Sequence, residues 1–258
     1  MKLNIVPAKH GSLWVRQGIR AFWKQPLALS GLFFMFMTIM SLCSLIPYVG
    51  DFLALALMPA VSLGLMAATR EVDLGKFPMP WILACAFRVG KERKREMLML
   101  GVLYAGAFIG IIGLSTLIDG GDFAKLAMSN EAIDLHMDIR PEMQDAMLFT
   151  VVLNLLLSSV FWYAPALVHW NSVPAIKSLF FSTVAFLGNW RAFLVFGLMW
   201  AIVSSGTATA ILLLGAVLDD FDFAASALIP AMLMISAMFF CSAYYSFKES
   251  FISDTLYA

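Results

Sequence analysis

FLALALMPAVSLGLMAAT, residues 52–69, is eighteen residues without a charge, closed by Asp51 on one side and Arg70 on the other. At ~1.5 Å of rise per residue, a helix of that length crosses a hydrocarbon core of ~30 Å. Pro59 sits inside it. A proline there leaves one helical carbonyl without its N–H, and lipid offers no replacement donor. The stretch therefore reads as a transmembrane helix that needs neighbours. Ala56-Leu57-Met58-Pro59-Ala60 is echoed by Ala227-Leu228-Ile229-Pro230-Ala231 in a second apolar segment.

Five more uncharged segments flank it: residues 27–46, 97–118, 146–168, 192–218 and 223–247. Hydrophobic residues make up 61% of the chain and charged residues 13%, with a mean hydropathy of +0.85. Soluble domains carry roughly twice that charge. The expected fold is an all-α integral membrane protein of six transmembrane helices, built as a single membrane domain over residues 1–258. The N-terminal stretch has basic residues but no apolar core followed by a small-residue cleavage site, so no cleavable signal is expected.

Short amphipathic segments precede the spans in pairs. In Leu13–Lys24, Arg16, Arg20 and Lys24 form one basic stripe, with Val15, Ile19, Phe22 and Trp23 largely opposite. That pattern suits a helix lying in the membrane interface. Counting Ala21-Phe22, Ala86-Phe87 and Ala185-Phe186 as lead-in markers divides the chain into hairpin units of about 12–70, 79–170 and 172–250. The largest loop is 119–145. A Pro-Ala pair falls in each second span, at Pro59, Pro165 and Pro230, and marks three expected helix breaks. Pro59 and Pro230 lie at matching depth and Pro165 does not, so the first and last units make the clearer repeat.

Charge sets the orientation. With both termini on one side, fifteen of the seventeen Lys and Arg share that side, and only Lys125 and Arg140 lie opposite. The positive-inside rule then puts both termini in the cytoplasm and the 119–145 loop in the periplasm. Arg88, Lys91, Arg93, Lys94 and Arg95 form a dense cluster before the third span. With Arg16, Arg20 and Lys24 they are the expected contacts for anionic lipid headgroups. Membrane lipids are the expected partners. Nothing points to nucleic acid, and association with itself or with other envelope proteins stays open.

The chain lacks a P-loop, GxSxG, HExxH or a dinucleotide fingerprint. No catalytic residue, metal or cofactor is assigned. None of the six segments contains Asp, Glu, Lys or Arg, which argues against a proton- or sodium-driven carrier. Asn154, Ser204, Ser205 and Thr207 are the candidate lining of a polar cavity. The competing reading has the hydroxyls bonding back to their own helix and Asn154 bonding across helices. His169 beside Trp170 reads as an interfacial anchor, and Glu131, Asp134 and Asp138 as a solvated acidic loop. Gly106 and Gly110 have GxxxG spacing, read first as close packing inside one chain and second as a dimer face. Cys43, Cys85 and Cys241 lie in apolar segments with no disulfide or metal spacing.

Six spans, cytoplasmic termini and lead-in segments such as WVRQGIRAFWKQP resemble small bacterial inner-membrane proteins of unknown function. The resemblance covers the general plan and rests on no catalytic motif. It implies a bacterial inner membrane and carries over no mechanism. Two functions fit the residues. One is a non-enzymatic membrane protein that handles lipid or supports an envelope complex. The other is a transporter or channel for a small, weakly polar solute. An intramembrane enzyme using His169 or the acidic loop is the third.

Overall fold

The computed structural model describes residues 2–128 and 140–252. Among them, six helices are long and apolar enough to cross a membrane. They form three hairpins. The first is α2 (Pro26–Ser44) and α3 (Gly50–Asp73), with Pro26 at the start of α2 where its missing N–H costs nothing. Their turn needs glycine: a Cβ on Gly50 would stand 2.3 Å from the Cys43 carbonyl oxygen.

The second hairpin is α4 (Lys91–Asp119) and α6 (Pro141–Phe161), with α6 continuing into α7 (Ala164–Asn171). Helix α5 (Asp122–Met128) follows α4 after Gly120, whose φ of 71° ends α4 in the left-handed conformation. The third hairpin is α9 (Trp190–Leu218) and α10 (Phe221–Ser250). Asp220 caps α10, accepting from the Phe223 N–H at 2.8 Å.

The three lead-in segments are α1 (His10–Lys24), the 3-10 helix η1 (Pro80–Phe87) and α8 (Ala175–Gly188). Packing regroups them relative to the sequence units. η1 packs on α3 and α8 packs on α6 and α7, so each docks on the hairpin before it. α1, which leads into the first hairpin, docks instead on the third, against α9 and α10. The segment before α1 and the one after α10 then meet: β1 (Lys2–Leu3) pairs antiparallel with β2 (Phe251–Ile252), Leu3 opposite Phe251.

The docking of α1 is close because two of its glycines allow it. A Cβ on Gly11 would lie 2.1 Å from the Ala192 carbonyl oxygen, and one on Gly18 would lie 2.6 Å from Ser242 Cβ. Trp14 is 0% exposed, and its ring meets Phe193 and Phe196 edge-on at 5.4 and 6.1 Å. Val15 and Phe22, which the sequence assigns to the membrane interface, are buried against protein. Arg16, Arg20, Trp23 and Lys24 stay exposed.

α3 is the centre. It packs against α2, α4, α7, α10 and η1. Its apolar window is 61% buried, against 6% for α9. Ala60, Gly64 and Ala68 supply the small surface, and a Cβ on Gly64 would touch Leu83 Cα at 2.7 Å.

The prolines behave differently from one another. α3 stays helical through Pro59, and α10 through Pro230. The interruption falls at residues 162–163, between α6 and α7, just ahead of Pro165. Ser182 of α8 fills it. Its hydroxyl accepts from the Tyr163 N–H at 3.0 Å and lies 3.5 Å from the Ser159 carbonyl. Ser159 is the residue four back, the partner Tyr163 would have in an unbroken helix. One side chain from α8 therefore sits inside the hydrogen-bond ladder it interrupts. The cysteines are free thiols, and burial pushes the Cys85 thiol up to about 11, keeping it protonated at neutral pH.

Candidate functional site

Helix α6 packs on α4 and α8 but makes no packed seam with α9 or α10 among the described residues. A cavity of about 320 Å³ opens in that gap. Its floor is Met58, Pro59, Ser62 and Met66 of α3. One wall is Leu155, Ser158 and Phe161 of α6 with Trp162 and Pro165. The facing wall is Phe239, Phe240 and Ala243 of α10. Leu155 at the mouth is 67% exposed. Trp162 turns its one polar atom aside, donating from Nε1 to Ser246 Oγ at 3.1 Å. Its ring packs edge-on against Phe239 at 5.7 Å. The result is an apolar groove between two transmembrane helices, with proline rings in both its floor and its wall.

Two polar cavities lie at the end of the bundle that carries both termini. The first, about 630 Å³, is lined by His10, Gln17, Arg20 and Lys24 of α1, Tyr245, Lys248 and Glu249 of α10, and Asp73 of α3. Glu249 Oε2 lies 2.6 Å from His10 Nδ1 and accepts from Trp14 Nε1 at 2.7 Å. Its Oε1 accepts from Gln17 Nε2 at 3.4 Å. Asp73 accepts from the Tyr245 hydroxyl at 3.0 Å and from Lys248 Nζ at 2.7 Å. Sequence reasoning passed over both acids. Their signal was position: they stand at the ends of the second and sixth spans, on the face that holds only six of the seventeen acids.

The second polar cavity, about 610 Å³, is lined by Lys91, Glu92, Arg93, Arg95 and Glu96 of α4 and by the turn at 172–174. Arg93 donates to the His169 carbonyl at 3.1 Å. Glu96 accepts from the Ala175 N–H at 2.7 Å and so satisfies the first turn of α8. Lys94 is exposed outside it, and Arg88 lines a shallow recess with Trp81 and Ala84. The structure thus divides the basic residues. Arg20 and Lys24 face one cavity, and Lys91, Arg93 and Arg95 face another.

The four candidate lining residues do not converge on the groove. Ser205 is exposed and donates to the Ala201 carbonyl at 2.7 Å, and Thr207 donates to Val203 at 2.8 Å. Ser204 is half-buried on the same helix. Asn154 does not bond across helices as expected; its Nδ2 donates to the Thr150 carbonyl of α6 itself at 3.1 Å. Pro59 and Pro165 do meet at the groove, while Pro230 lines a separate recess with Ser30 and Phe33.

The expectation for the glycines also needs correction. A Cβ on Gly106, Gly110 or Gly113 would meet nothing within 4 Å, so that stripe is not used inside the chain. Gly101 is the glycine of α4 that packs: a Cβ there would stand only 2.1 Å from the Ala56 carbonyl oxygen. Glu131, Asp134 and Asp138 lie outside the described residues.

Over 254 residues the chain is 37% identical to a protein of Burkholderia thailandensis named as a probable inner membrane protein. The match covers 97% of this chain and 94% of that one. No family model and no solved structure matches.

Proposed function

The chain belongs to the same family as that Burkholderia inner membrane protein, and we propose that it acts in the inner membrane as a non-enzymatic lipid-binding protein. One observation carries the reading: the groove between α6 and α10 is apolar, and exposed residues of α6 stand at its mouth. A gap between transmembrane helices faces acyl chains, and an apolar gap is filled by them at no desolvation cost. The basic face adds attraction for anionic headgroups, about 1 kcal/mol for each Lys or Arg close to the leaflet. Arg16, Arg20, Lys24, Arg88, Lys91, Arg93, Lys94 and Arg95 supply it.

The test fills the groove. Ser158→Trp at its mouth is expected to lower the phospholipid retained by the purified protein severalfold, read by native mass spectrometry. Equal retention in the variant and the parent removes the groove reading.

In this reading both termini are cytoplasmic, on the strength of the fifteen-to-two division of Lys and Arg. Reporter fusions after Asp51 and Asp220 are expected to report the periplasm, and fusions after Lys76 and Lys177 the cytoplasm. The opposite pattern at all four positions inverts the protein and places its basic face outside.

A further inference from the structure

Six of the fourteen residues that line the groove between α6 and α10 are aromatic: Phe36, Tyr104, Phe161, Trp162, Phe239 and Phe240. Aromatic residues are 14% of the chain, so the groove concentrates them. The rings meet edge-on in pairs, Tyr104 with Phe161 at 5.2 Å, Trp162 with Phe239 at 5.7 Å and Phe36 with Phe240 at 6.0 Å. Met58 and Met66 add two thioether sulfurs to the same lining. A saturated acyl chain gains only buried area from such walls. A flat ring gains edge-on or offset contact with the aromatics and contact with the sulfurs as well.

The groove also includes a donor that the protein leaves unused. Ser62 donates to the Pro59 carbonyl at 3.0 Å. Tyr163 donates to the Ser246 carbonyl at 3.1 Å and Tyr245 to Asp73 at 3.0 Å. The Tyr104 hydroxyl has no hydrogen-bond partner among the described residues. Tyr104 stands seven residues past Met97, where the uncharged segment of α4 begins, which places its backbone ~10 Å into the hydrocarbon. Membrane proteins favour tyrosine at the interface, where the hydroxyl meets water. At the depth of Tyr104 there is no water, and the ester carbonyls of phospholipids lie in the interfacial layer above it. A hydroxyl left in hydrocarbon without an acceptor is costly.

A lipid that carries an acceptor inside the hydrocarbon meets both features. We infer that the groove takes a lipid-soluble quinone, its flat ring between the aromatic walls and one ring carbonyl accepting from the Tyr104 hydroxyl. The volume of about 320 Å³ suits a small-molecule ring, and the exposed mouth at Leu155 lets the apolar tail pass into the bilayer. This rests on the groove being a lipid site, as proposed above, and narrows the lipid to one class. The role is binding, and no electron transfer is assigned to the chain.

The experiment titrates the delipidated full chain in detergent with decylubiquinone and, separately, with dioctanoyl phosphatidylglycerol, and reads each bound lipid by native mass spectrometry. The parent is expected to bind the quinone more tightly. Tyr104→Phe keeps the ring and removes only the hydroxyl, so the packing of the groove is retained. It is expected to weaken quinone binding about fivefold, as loss of one hydrogen bond does, and to change phosphatidylglycerol binding less than twofold. Ser158→Trp, which fills the groove, is expected to weaken both. Tighter binding of phosphatidylglycerol by the parent overturns the quinone. So does unchanged quinone binding in Tyr104→Phe, or an equal loss of both lipids in that variant. In each of these cases a loss of phosphatidylglycerol in Ser158→Trp keeps the groove as a site for lipid chains. No loss of either lipid in Ser158→Trp removes the groove, and the quinone with it.

Discussion

Gly101→Ala is expected to destabilise the protein by about 2 kcal/mol, while Gly106→Ala, five residues further along α4, is expected to stabilise it by up to about 1 kcal/mol. The difference comes from what a new methyl group meets. At position 101 it would stand 2.1 Å from the Ala56 carbonyl oxygen, which is backbone of α3 and has no rotamer to yield. The helices must part, and every contact along the α3–α4 seam loosens with them. Overpacking of this kind costs about 1–3 kcal/mol or more. The helix propensity gained from alanine, about 1 kcal/mol, offsets only part of it. At position 106 nothing lies within 4 Å, so the propensity gain stands alone. Thermal unfolding of both variants in one detergent checks the prediction. Shifts of the same sign and size would mean that the Gly101 contact does not set the seam.

These two glycines also show what the sequence made legible and what it did not. Hydropathy reports the medium around a helix averaged over its circumference, and that sufficed for the six spans and for the central place of residues 52–69. It does not say which apolar face meets lipid and which meets protein, because lipid tails and leucine side chains are alike in polarity. For that reason the apolar side of α1 read as membrane-facing when it lies against α9 and α10. The small residues that admit another backbone carry the missing information. The GxxxG spacing at Gly106 and Gly110 does not mark packing inside the chain, and Gly11, Gly18, Gly64 and Gly101, which do approach other chain segments, follow no single spacing.

The prolines are legible only in part. A ring at position 59 or 230 is absorbed within a continuous helix, whereas the interruption at 162–163 falls just ahead of Pro165 as expected, and the Ser182 hydroxyl that bonds the Tyr163 N–H comes from nineteen residues downstream. The groove was not legible because it is a property of two helices failing to meet. The acids at 73 and 249 were legible in principle, as rare negative charges on a basic face, but their partners come from α1 and α10 and required the docking to be known.

Glu249→Ala is expected to cost about 3 kcal/mol and to free α1 from the bundle. The carboxylate is the meeting point of three α1 side chains, with His10 and Trp14 on Oε2 and Gln17 on Oε1. Trp14 is fully buried, so its indole N–H has no water to turn to once the acceptor is gone. A buried donor left unsatisfied costs about 1–3 kcal/mol, and the carboxylate as a charged acceptor makes each bond stronger than a neutral one. The loss concentrates on α1 because, among the described residues, the other side chains of its buried face meet the bundle through apolar contact. Gly11, Val15, Gly18 and Phe22 contribute packing only, and β1 with two residues is too short to hold by itself. Hydrogen exchange over residues 10–24 is expected to speed up at least tenfold in Glu249→Ala, with the amides of α3 unchanged. Trp14→Phe provides the control for mechanism. It keeps most of the ring packing and removes the donor, so adding Glu249→Ala to it costs about 1 kcal/mol less than in the parent. Unchanged protection of α1 in Glu249→Ala would show that the glycine-mediated contacts with α9 and α10 hold the segment without the carboxylate.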